Sequence, residues 1–122
     1  MQYRVGDIVH VSDPFANGDG KDKFMVIVST APGEFLAVNT HDHGTYDAIP
    51  LQKKGRDFPR HDSFIGCKNI LMPNLNQITR RVGELDVEEM NALKVKFQSS
   101  LYLSPFQIGR LMKNIDTAIA AR

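Results

Sequence analysis

Phe24-Met25-Val26-Ile27-Val28 is an unbroken apolar run ending at Ser29. It is too short for a globular helix and rich in β-branched residues, so it reads as a strand buried on both faces or as a stave of a barrel. Strand candidates surround it. Asp7 to Val11 alternates and is β-branched. Ala31-Pro32-Gly33 reads as a turn into Glu34 to Asn39, which predicts an antiparallel hairpin with the apolar run. Thr45 to Leu51, Ser63 to Ile65, Lys68 to Met72 and Ile78 to Val82 follow as shorter strands, the last carrying the exposed pair Arg80 and Arg81. A long polar loop, Ser12 to Asp22, joins the first two strands. Rigid strands at both ends suit such a loop to carrying functional groups.

Helices close the chain. Asp86-Val87-Glu88-Glu89 is an acidic form of a capping box, with Met90, Leu93, Phe97 and Leu101 expected on one packed face. Ser104-Pro105 starts a second helix with a hydroxyl cap and proline in the first turn; Ile108, Leu111, Met112, Ile115 and Ile119 form its stripe. Strands followed by helices predict a single α+β domain: a barrel or curled sheet over about 3–84, then helices over about 86–102 and 104–121.

Charge excludes a global polycation, since 15 Lys and Arg face 14 Asp and Glu in 122 residues. Nucleic-acid binding then needs a local patch, and Lys53, Lys54, Arg56 and Arg60 supply one. The lone Cys67 cannot form an intrachain disulfide, which fits a reducing compartment; its apolar neighbours mark it as a small buried hydrophobe. With no signal peptide and no membrane-length apolar run, a cytoplasmic location without membrane association is expected.

The densest reactive cluster is Asn39-Thr40-His41-Asp42-His43-Gly44, with His61 further on. Three readings stand: a His-x-His metal chelate completed by His61 or Asp62, acid–base chemistry by imidazole, or a polar turn bonded to its own backbone. Lys21 and Lys23 are edge charges that discourage strand aggregation or, for Lys23, a fixed cation beside a phosphate. His10 reads as a structural strand residue. No phosphate-cradling glycine motif or nucleophile elbow is present, and Gly18-Asp19-Gly20 precedes no helix.

Gly6-Asp7-Ile8-Val9, the long loop, the basic residue before Met25-Val26-Ile27-Val28, and the strand ending in Thr40 resemble the PemK/MazF family of toxin ribonucleases. Asp62-Ser63-Phe64-Ile65 and Ile78 through Leu85 resemble that family's last strands, and the helix from Asp86 its C-terminal helix. The resemblance runs from about Val5 to Leu101 and leaves out the helix after Ser104. It implies a curled SH3-like β-barrel with helices, a homodimer, and cleavage of single-stranded RNA without metal or cofactor. In that reaction the ribose 2′-hydroxyl attacks the adjacent phosphate, leaving a cyclic phosphate and a 5′-hydroxyl. A cognate antitoxin blocks the RNA groove.

The family's catalytic Arg at the start of the second strand and Thr or Ser after the third map to Lys23 and Thr40. The family has Arg-Pro where this chain has Lys23-Phe24, and lysine lacks the planar fork that grips phosphate. The expected site is therefore Lys23 and Thr40 on phosphate, with His41, His43 or His61 moving protons. Lys21, Lys53, Lys54, Arg56 and Arg60 hold the backbone, and Phe15, Tyr46 and Phe58 are available to stack bases. The alternatives are a non-catalytic barrel of the same ancestry that binds protein or nucleic acid, and a barrel that poisons a topoisomerase.

Overall fold

The structure is a computed structural model that describes residues 2–14, 21–40 and 47–122. The expectations placed on Phe15, Gly18-Asp19-Gly20, His41, His43, Thr45 and Tyr46 lie outside the described residues. The element order is β1 (Asp7–Val11), β2 (Lys23–Thr30), β3 (Gly33–Asn39), β4 (Ala48–Leu51), β5 (Ser63–Gly66), a 3₁₀ turn (Leu75–Gln77), β6 (Ile78–Glu84), α1 (Val87–Gln98) and α2 (Pro105–Ala120). The strands form one antiparallel sheet in the order β4-β5-β3-β2-β1-β6. The fold is α+β with two C-terminal helices, and no helix is long and apolar enough to cross a membrane.

The central run is buried on both faces, as its lack of polar alternation predicts. Val26 and Val28 join Ile8, Leu36 and Val38 in a core that packs against α1 and α2 through Leu93, Phe97, Leu111 and Ile115. Met25 and Ile27 join Val9, Val11 and Phe35 in a second cluster, covered in part by Tyr3, Leu71 and Ile78. The hairpin between β2 and β3 forms with Met25 opposite Ala37 and Ile27 opposite Phe35.

Both helix starts form as the sequence predicts. Asp86 accepts a hydrogen bond from the Glu89 N–H while Glu89 accepts from the Asp86 N–H, and Ser104 and Gln107 do the same for α2. The long connection between helices differs from expectation. α1 ends at Gln98 because Ser99 Oγ donates to the Val95 and Lys96 carbonyls and Ser100 Oγ accepts from the Tyr102 and Leu103 N–H groups. Those bonds compete with helix continuation. Leu101, expected on the packed face, is 92% exposed.

Two strand expectations also change. The fourth strand is confined, among the described residues, to Ala48–Leu51. Lys68 to Met72 forms no strand: only Leu71 bridges to Phe35, exchanging both backbone bonds at 2.8 Å. Lys68 points away, its ammonium 4.7 Å from the centre of the Tyr102 ring.

Candidate functional site

A cleft of about 590 Å³ opens where β2, β3 and β6 meet the loop between β4 and β5. Phe24 and Phe58 line it, with ring centres 4.5 Å apart. Phe24 is fixed from its other edge by His10, at 5.3 Å. The cross-strand register explains this row, since His10 pairs with Phe24 on one side and with Arg80 on the other. Thr79 is the extra residue of a bulge in β6, and its hydroxyl meets His10 Nδ1. His10 Nε2 lies 3.2 Å from Asp22, so this histidine ties down the end of the Ser12–Asp22 loop, in keeping with a structural role.

Thr40, Arg60, His61 and Arg80 line the same cleft and are exposed. Among the described residues the side chains of Arg60, His61 and Arg80 make no hydrogen bond or ion pair. The structure thus brings together four residues that the sequence singles out, Thr40, Phe58, Arg60 and His61. Lys23 stands beside them and is not part of the cleft wall. Its ammonium donates to Asn39 Oδ1 at 2.8 Å, one residue before Thr40. Alternation along β2 and β3 puts Lys23 and Asn39 on the face opposite Phe24 and Val38, and the chain leaves the strand at Thr40. Asn39 itself lines the cleft at the strand end, so the ammonium is bonded to a residue of its wall. Lys21 is exposed just before β2.

The basic run splits in two. Lys53 and Lys54 are exposed and Arg56 is partly buried, and both Lys54 and Arg56 are engaged by acidic partners of this chain. Arg56 makes a two-pronged contact with Glu89 and also donates to the carbonyls of Gln52 and Glu84. The Glu89 hydrogen bond holds its guanidinium above the ordinary arginine value. Lys54 lies between Asp86 and Glu88, and the Asp86 hydrogen bond raises its ammonium in the same way. Lys54 and Gly55 both have positive φ, and the Arg56 N–H donates to the Lys53 carbonyl, the pattern of a tight turn. These bonds anchor the loop that presents Asp57, Phe58, Pro59, Arg60 and His61 to the cleft.

Arg81 is exposed like Arg80, as expected, and is also engaged with buried Asp7 at 3.0 Å and with Glu84 at 3.1 Å. Its hydrogen bond to Asp7 lifts its guanidinium above the usual range. A second cavity between the N-terminal segment and α2 includes these same two carboxylates. Cys67 is buried, and burial pushes its thiol up to about 12, so it is no ready nucleophile. Among the described residues no three His, Cys, Asp or Glu side chains gather as a metal-ligand group.

Sequence reasoning did not select Arg80 or Phe24 as site residues. The signal was the flanking of β1 by a long apolar strand on one side and a bulged basic one on the other, which only the register reveals. No family model matches this chain, and no curated protein matches it in sequence.

Proposed function

We propose that the protein is a PemK/MazF-like endoribonuclease that cuts single-stranded RNA at the Phe24–Phe58 cleft. The observation that carries this reading is the cleft wall itself: a tilted aromatic pair beside the uncompensated guanidinium groups of Arg60 and Arg80, with Thr40 and His61 at hand. Aromatic faces stack unpaired bases, and adjacent cations hold the phosphates between them. Lys23 then lies near the phosphorus as a fixed cation, and Thr40 hydrogen-bonds a non-bridging oxygen. The 2′-hydroxyl gives its proton to a histidine base and its oxygen bonds to phosphorus. The bond from phosphorus to the 5′ oxygen breaks, and that oxygen takes up a proton. His61 is the base that the cleft offers, with His41 and His43 as the further acid–base candidates.

In the same reading the curled sheet is an SH3-like barrel, the active form is a homodimer, and a cognate antitoxin covers the cleft in the cytoplasm. The test is digestion of single-stranded RNA in EDTA by the wild type and by Lys23→Ala, Thr40→Ala, His61→Ala and His43→Ala. The reading expects fragments ending in a cyclic phosphate, lost in Lys23→Ala and Thr40→Ala. Equal cleavage by every variant removes the catalytic assignment.

One observation favours a second reading. The Lys23 ammonium is already engaged by Asn39, which suits a module that binds without cutting. Tight binding of intact RNA by the wild type, with no fragments, identifies that module. DNA damage in cells with RNA left whole identifies a topoisomerase poison instead.

A further inference from the structure

Phosphate binding does not explain one charge in the cleft. Asp57 lines it and is exposed, and among the described residues its carboxylate makes no hydrogen bond or ion pair, although Arg60 and Arg80 line the same cleft. A surface serving only phosphates gains nothing from an anion there, because like charges repel. The loop that carries it is anchored on both sides. Arg56, the next residue back, is locked to Glu89 and to the Gln52 carbonyl. Phe58, the next residue on, is packed against Phe24. Asp62 closes the loop by accepting from the Lys53 N–H at 3.1 Å. Asp57 therefore offers an unengaged pair of acceptors, on an anchored loop, in the same cleft as the aromatic pair on which a base would stack.

We propose that Asp57 reads a guanine stacked on the Phe24–Phe58 pair, accepting hydrogen bonds from its N1–H and its N2 amino group. This rests on the single-stranded RNA reading of the cleft. Guanine alone among the bases offers two adjacent donors on its pairing edge, which match the two oxygens of a carboxylate. Adenine and cytosine put an acceptor beside their single amino donor, and uracil flanks its one donor with carbonyls, so each sets lone pairs against the carboxylate. A charge-assisted two-pronged bond of this kind discriminates by about tenfold or more. An asparagine at the same place presents one acceptor and one donor, so it no longer complements two adjacent donors.

The test measures binding, not cleavage. Uncleavable 2′-O-methyl uridine hexamers with one central guanine, inosine, adenine, cytosine or uracil are titrated against the wild type, Asp57→Asn and Asp57→Ala, with folding checked by circular dichroism. The guanine hexamer is expected to bind about tenfold more tightly than the adenine hexamer, with inosine between them because it lacks the N2 amino group. Asp57→Asn and Asp57→Ala are both expected to lose the guanine preference. Equal affinity for all hexamers in the wild type, or a guanine preference that survives both substitutions, overturns the proposal. If equal binding is weakened by Arg80→Ala, the RNA reading stands and only the guanine assignment falls; if no hexamer binds, both fall.

Discussion

Arg56→Ala distinguishes a structural clamp from a phosphate contact. The Arg56 side chain is 21% exposed and that of Glu89 only 5%. Removing the guanidinium leaves a buried carboxylate with the Asp86 N–H as its remaining donor within α1, and strips one partner from each of two backbone carbonyls. Breaking a buried ion pair by deleting one partner costs about 3–5 kcal/mol. The partial exposure of Arg56 and the retained N–H lower this to about 2–4 kcal/mol. With a denaturant slope of about 2 kcal/mol per molar urea, the unfolding midpoint falls by about 1–2 M. The assay is urea unfolding followed by far-ultraviolet circular dichroism. Lys53→Ala and Arg60→Ala serve as controls and are expected to stay within about 0.5 kcal/mol of wild type. Arg56→Lys is expected to recover little, since it lacks the planar fork. The reasoning is refuted if Arg56→Ala unfolds at the wild-type midpoint yet weakens RNA binding with a shallower salt dependence.

Other outcomes follow from the same contacts. Burial raises the Asp86 carboxyl, but hydrogen bonds from the Glu89 N–H and the Lys54 ammonium outweigh it and hold the group below its ordinary 3.8. A lowered folded-state value means that its stabilisation is present above pH 3.8 and is lost as pH falls through the folded value, so melting of wild type and Asp86→Asn should converge in acid. Arg60→Ala and Arg80→Ala should each reduce the slope of log affinity against log salt by about 0.7 for single-stranded RNA, with unchanged melting. Cys67 should resist alkylation at pH 8 in the native protein and react once urea opens the core; rapid native alkylation contradicts its burial.

What the sequence reveals here is what neighbouring residues decide. The β2–β3 hairpin and both helix caps rest on local patterns, and each forms where those patterns place it. Leu101 fails because Ser99 and Ser100 bond the backbone at the end of α1, a local signal that the apolar spacing outshouts. The role of Arg56 depends on Glu89, 33 positions away, so a basic run looks like a patch when half of it is paired with acidic residues. The aromatic cleft is hidden for the same reason: Phe24, Phe58 and Arg80 come from β2, a loop and β6, and only the sheet register and the anchored loop bring them together.

The claim that this cleft holds a single RNA strand is tested most directly by following backbone and side-chain amide NMR signals during titration with an uncleavable 2′-O-methyl oligonucleotide. The account predicts saturable shifts at Asn39, Thr40, Asp57, Phe58 and Arg80, with little change at Lys54 and in α2. Shifts confined to the exposed Leu101, Tyr102 and Phe106, or no shifts at concentrations that saturate a binding assay, contradict it.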